Sequence, residues 1–280
     1  MLERAAGLSP RALEAIAELE REVVDADGGR LKLEWGALRS RSGERVGDLL
    51  WWDGDRLRGF LGFYGYGASL ELAGMVAPAA RRQGIATALL DAAMPLCREQ
   101  GYAQVLLIVP RSSAAGKRLA LGRGGALDHS EHALVPTGEP APTAAHPELT
   151  LRRATESDLP VLARLLEQGF GGPAPGLEGR LNSPLTRILM VEVEASPVGT
   201  LSLSRDGDTA GIYGFVIDAP RQGQGLGRAA LGRACAQLRA EGVRRIGLEV
   251  EVQNDHALGL YTSAGFAPVT TEDYYRLPLT

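Results

Sequence analysis

The chain has 280 residues, 45% hydrophobic and 23% charged, with a formal net charge of −4. That length suits two compact domains, and the composition is that of a soluble globular protein. The slightly acidic balance, without a dense basic patch in either half, argues against nucleic acid or an anionic membrane as a partner.

No run reaches the roughly 20 apolar residues that span a bilayer. Cys97 and Cys235 sit singly in apolar helical runs. They form neither a disulfide framework nor a Cys-x-x-Cys pair, and no metal site is expected. The opening MLERAAGLSP lacks the basic flank and apolar core of a signal peptide, so a cytoplasmic location is expected.

In chain order, Ser9 and Pro10 read as the N-cap and first residue of a helix carrying Leu13, Ile16, Leu19 and Val23 at near-helical spacing. Strands are expected at VGDLLWWD, RLRGFLGFYG and ASLELAGMV. A glycine loop, RRQGIATALL, then opens a helix from about Thr87 to Glu99, and the strand AQVLLIV follows. The stretch VPTGEPAPTAAHPE, Val135 to Glu148, has no hydrophobic period and reads as a linker.

After it the order repeats. LTLRRATESDLPVLARLLEQ gives a strand and a helix, with Thr155 and Asp158 placed as a capping box. Strands at RILMVEVE, PVGTLSLSRD and AGIYGFVID follow, the last hairpin turning at Asp206, Gly207 and Asp208. A glycine loop, RQGQGLGRAAL, leads into a helix from about Leu226 to Glu241, the strand RRIGLEVEV, a helix at DHALGLYTSAG and a last strand around Tyr274 to Leu279. The expectation is two α+β domains, 1–136 and 148–280, joined by residues 137–147.

A strand that runs into a glycine turn and then a helix aims backbone N–H groups and the positive helix end at one point. That point suits a phosphate or pyrophosphate, and glycine lets the anion approach. The spacing Gly-x-Gly-x-Gly after antiparallel hairpins is not the dinucleotide fingerprint, and neither half has the Gly-Lys-Ser/Thr of a P-loop.

The segment IDAPRQGQGLGRAAL resembles the acetyl-CoA-binding motif of the GCN5-related N-acetyltransferases, with Gln222, Gly225 and Gly227 at its fixed positions. VAPAARRQGIATALL is similar through Val76, Pro78, Arg81, Gly84 and Ala86. VEVQNDHALGLYTSAGF resembles the family's second signature through Asn254, Ala257, Leu260, Tyr261, Gly265 and Phe266. The resemblance covers the second half almost end to end and the first through its strands and loop. The tandem layout is similar to that of mycothiol synthases.

The resemblance implies a sheet whose fourth and fifth strands splay apart to admit pantetheine, with the pyrophosphate on the loop. Coenzyme contacts are then expected at Phe215, Val216, Ile217, Gln222, Gly223, Gln224, Gly225, Leu226, Gly227, Arg228 and Asn254. In the first half they are expected at Gly74, Met75, Val76, Arg81, Arg82, Gln83, Gly84, Ile85, Ala86 and Thr87. Tyr261 stands where the family keeps its general acid, a phenol near pKa about 10 facing a thiol near about 8.5.

No base is singled out: Glu249 and Glu251 share one strand face, Glu192 and Glu194 lie on another strand, and His256 is expected to be exposed. In the first half Ser113 replaces the asparagine and Ala120 the tyrosine, while Glu71 precedes the loop. Trp51 and Trp52 read as core or interface residues rather than ligands.

Acetyl transfer from acetyl-CoA to a small-molecule amine, catalysed by the second half of a monomer or homodimer, is the leading expectation. A noncatalytic acyl-CoA-binding regulatory module would keep both loops without using Tyr261. A tandem aminoacyl-tRNA-dependent transferase is disfavoured by the intact loops and the absence of a basic surface.

Overall fold

The computed structural model describes residues 1–66, 68–138, 146–174 and 176–279. Along the chain these form β1 (Leu2–Ala5), α1 (Pro10–Asp27), α2 (Trp35–Arg39), β2 (Asp48–Asp53), β3 (Arg56–Tyr66), β4 (Ser69–Val76), α3 (Ile85–Glu99), β5 (Gln104–Pro110), α4 (Ala114–Gly122) and β6 (Ala126–Pro136). They continue as β7 (Leu149–Arg153), α5 (Leu159–Phe170), α6 (Leu177–Leu181), β8 (Thr186–Val193), β9 (Ser196–Asp206), β10 (Thr209–Ile217), α7 (Leu226–Ala240), β11 (Arg245–Glu251), α8 (Asp255–Ser263) and β12 (Phe266–Leu277). None of the described helices is long and apolar enough to cross a membrane.

Local chemistry explains the element boundaries. Ser9 accepts a hydrogen bond from the N–H of Ala12 at 3.1 Å, and Pro10 opens α1. Thr155 and Asp158 form the expected reciprocal capping box ahead of α5. Asp206 to Thr209 close the β9–β10 hairpin, with Gly207 at φ 60°.

Two compact units result, Met1–Glu131 with Thr270–Thr280, and His132–Val269. The first holds the strand order β1-β2-β3-β4-β5 with β12 beside β5. Only β4–β5 is parallel in that run. The second runs β11-β10-β9-β8-β7 with β6 beside β11, and its β10–β11 pair is parallel. Each is a mixed, mostly antiparallel sheet flanked by helices, so the α+β class holds in both.

In the second unit the sheet carries a core on each face. Leu226, Ala230, Leu231, Cys235 and Tyr261 belong to one, and Leu162, Leu165, Leu181 and Val216 to the other.

The division differs at its ends from the expected domains 1–136 and 148–280. Residues 132–136 pack with the second unit, and 270–280 complete the first. Hydrogen bonding is the reason: Glu272 to Leu277 run antiparallel to Pro110 to Val105 of β5. The last strand also begins at Phe266, well before the expected Tyr274. Of the expected linker 137–147, residues 139–145 lie outside the described residues.

Candidate functional site

The parallel pair β10–β11 is in register from Thr209↔Arg245 to Ile212↔Leu248 and then parts. On its other side β10 stays bonded to β9, through Val216↔Thr200 and Ile217↔Gly199, after a bulge between Tyr213 and Val216 where Gly214 takes φ 55°. Past the bulge, Val216 and Ile217 keep their ladder with β9, and among the described residues no strand is in register with Phe215, Val216 or Ile217 on the β11 edge. An extended ligand can pair with such an edge as a strand would. Side chains alternate along it: Val216 packs into the core under α5, while Phe215 and Ile217 pack into the core under α7 and α8.

At the end of β10 the chain makes one short 3-10 turn, Ala219–Arg221, and enters the glycine loop. Gly223 and Gly225 take φ 75° and 81°, left-handed backbone that glycine adopts without strain. Gly225 is the N-cap of α7 and offers no side-chain cap, so the first-turn N–H groups are left for a ligand. A Cβ at Gly223 would meet nothing within 4 Å.

Side chains from within the loop and from outside it hold it in place. Gln222 donates from Nε2 to the carbonyl of Ile217 at 2.9 Å, and His146 Nε2 lies 2.7 Å from the carbonyl oxygen of Gln224. The sequence alone places His146 in the linker. Its contact with the loop carries no local motif, because it arises from tertiary folding alone.

Tyr261 comes from α8 and is 7% exposed. Its ring lies 6.5 Å from that of Phe215, on the parted stretch of β10, and 6.4 Å from that of Phe266. Burial alone pushes its phenol up to about 12, so the oxygen keeps its proton at neutral pH. Asn254 caps α8, accepting from the N–H of Ala257 at 3.0 Å, and remains exposed.

The carboxylates sort differently. Glu192 is nearly buried and accepts from Arg152, which also holds Asp158 at 2.8 Å and 2.9 Å, so it serves a structural network. Glu194 is not on a strand: it sits in the β8–β9 turn at φ 50°. Leu248 and Val250 point into the core, leaving Glu249 and Glu251 on the opposite side of β11. His256 is exposed.

The first unit repeats this framework from loop to α4 without insertion or deletion. β4 and β5 pair in parallel from Ser69↔Gln104 to Leu72↔Leu107 and then part, so that among the described residues Ala73, Gly74, Met75 and Val76 have no partner strand on that edge. Gly84 at φ 83° caps α3 as Gly225 caps α7, ahead of Ile85, Ala86 and Thr87. Arg81 takes the place of Gln222: its Nε donates to the carbonyl of Val76 at 3.2 Å, and its guanidinium pairs with Asp27 at 2.8 Å and 2.7 Å.

Ser113 caps α4 by accepting from Gly116 at 3.1 Å. At the place of Tyr261 stands the fully buried Ala120, which has no proton to give. Trp51 and Trp52 pack against the core.

Residues 11–120 and 160–266 match the model of the acetyltransferase (GNAT) family. A mycothiol acetyltransferase of Thermobispora bispora is 28% identical over 96% of this chain and 97% of its own length. One of Kytococcus sedentarius is 28% identical over 97% and 96%. A third, from Beutenbergia cavernae, is 45% identical over 73 residues, 26% of this chain and 25% of that protein.

Among solved structures, a GCN5-related N-acetyltransferase from Sphaerobacter thermophilus superposes with a TM-score of 0.79 at 20% identity, covering 100% of this chain and 95% of that one. A tandem GNAT protein from the clavulanic acid biosynthesis pathway gives 0.72 at 16% identity, covering 100% and 99%. These two likenesses are of fold.

Proposed function

The chain belongs to the acetyltransferase (GNAT) family and is an acyltransferase; on that premise we propose that its second unit transfers the acetyl group of acetyl-CoA to a primary amine of a small molecule, by direct attack on the thioester. The observation that carries the proposal is the meeting of three features in one unit: the parted β10–β11 edge, the uncapped helix start at Gly225, and the protonated Tyr261 against Phe215.

The residues present fit the donor. Backbone N–H groups from Gly223 to Arg228 would hold the pyrophosphate, and the free edge at Phe215, Val216 and Ile217 would pair with the pantetheine amides. When bound, acetyl-CoA supplies an activated acyl group and a thiolate leaving group. With the donor bound, an N–H of the parted edge would be placed to stabilise negative charge on the thioester oxygen. Tyr261 holds a donor O–H for the departing sulfur. The amine must lose its proton to water or to a group outside the carboxylates committed to Arg152.

The acceptor is proposed from the relatives' name: a small amine of the mycothiol class is the first to offer. The noncatalytic reading applies to the first unit alone, where the loop persists and Ala120 replaces the phenol.

The test is thiol release from acetyl-CoA with a panel of primary amines, each product identified by mass. Amine-dependent release with an acetylated amine is expected. Release that never exceeds the amine-free rate, in protein that binds coenzyme A, would overturn the reading.

A further inference from the structure

A second polar site lies wholly within the first unit. After α1, Gly28 and Gly29 take φ 72° and 75° and end the helix. Arg30 then bonds Glu272 at 3.3 Å, and Lys32, its side chain 9% exposed, is buried in the unit. Its ammonium lies 3.2 Å from Glu131 Oε2 and 3.9 Å from Glu71 Oε2, and it donates to the hydroxyl of Tyr274, which in turn donates to Glu131.

The centre of the fully buried Tyr274 ring stands 5.1 Å from the same nitrogen, and the ring is stacked on that of His129 at 4.2 Å. Carboxylates, a phenol oxygen and an aromatic face are the three means by which proteins recognise an ammonium, and all three converge on one nitrogen here.

The position matters as much as the chemistry. Glu71 pairs with Leu106 one rung before β4 and β5 part. An acyl group laid along the parted edge would meet its amine close to that carboxylate; this step rests on the reading of the parted strands given above. The amine already there belongs to the chain. We propose that Glu71, Glu131 and Tyr274 form a primary-ammonium site in the first unit, with Lys32 as its resident occupant, which closes this unit to an external amine. The unit that lacks a phenol at position 120 is thereby also filled on its acceptor side.

The test is chemical rescue in the full chain. Lys32→Ala removes the side chain beyond Cβ, which propylammonium replaces atom for atom. Thermal melts are taken at fixed ionic strength with propylammonium chloride, with propanol, or with sodium chloride. A lowered melting temperature that propylammonium restores saturably, with propanol inert and the wild-type protein unmoved, is the expected result. Equal shifts in both proteins, or none in either, would reduce the cluster to a structural ion pair and overturn the proposal.

Should the variant fail to fold alone, refolding with and without propylammonium is read instead. Recovery only with the amine supports the site; no recovery under either condition overturns it. Acyl transfer is not measured, so failure here leaves the acetyl-transfer proposal standing, and the converse also holds.

Discussion

Arg82 and Gly223 occupy the same place in the two glycine loops, and both have positive φ, 62° and 75°. The flanking residues agree closely: Arg81 and Gln222 have ψ 159° and 162°, and Gly84 and Gly225 have ψ −2° and −3°. Arginine pays a steric penalty in that region that glycine avoids. Arg82→Gly should therefore stabilise the protein by about 0.5–1 kcal/mol, after allowance for glycine's looser unfolded chain. Urea denaturation would check this, and a loss of stability would mean that the Arg82 side chain contributes more than its strain.

The loops should differ in their effect on turnover. Gly225→Glu places bulk and negative charge at the start of α7, whereas Gly84→Glu does the same in the unit without a phenol. We expect the first to weaken coenzyme A binding at least ~10-fold by calorimetry and to abolish turnover. The second should leave most turnover intact, with folding verified by melts. Loss of activity only in a well-folded Gly84→Glu would place catalysis in the other unit.

Tyr261→Phe should lower kcat by about 10²-fold with little change in KM for acetyl-CoA. The phenol's pKa of about 12 also sets a pH profile. A group that must stay protonated gives a falling limb only near its own pKa. The rate should thus rise as the acceptor amine deprotonates and show no descending limb until above roughly pH 11. A limb near pH 9 would indicate another acid.

Asp158 carries a different pH signature. The Arg152 guanidinium, then the N–H and hydroxyl of Thr155, hold its carboxyl well below the ordinary range. Its folded pKa is depressed, so its contribution is complete above the unfolded value of about 3.9 and fades as pH falls below it. Arg152 is 40% exposed, which screens the pair. Asp158→Asn should cost about 1–2 kcal/mol at pH 7. That difference should shrink between pH 4 and lower values; a gap independent of pH would assign the effect to packing.

What the sequence disclosed follows from the range of the forces involved. Ser9, Thr155 and the loop glycines act within a few residues, so caps and loop were legible. Tyr261 and Asn254 stood out only through the resemblance of VEVQNDHALGLYTSAGF to a family signature. By contrast, β6 reads ALDHSEHALVP, where Asp128, Ser130 and Glu131 turn toward Arg276, Asp273 and Tyr274 far along the chain. Polar residues satisfied by distant partners erase the apolar alternation that marks a strand. Lys32, His146 and the true extent of β12 were hidden for the same reason: each is defined by a partner that only folding brings near.

The pairing of β12 with β5 also sets an order of events during synthesis. The strand Gln104–Pro110 is made long before Glu272–Leu277. At roughly 5–20 residues per second, the ribosome leaves that edge of the first unit open for on the order of ten seconds or more. The first unit to be translated is therefore the later to be completed, while the second closes its own sheet from residues made consecutively. A nascent chain stalled before Thr270 would present an apolar strand edge, Val105 to Val109, to whatever chaperone or neighbouring chain meets it first.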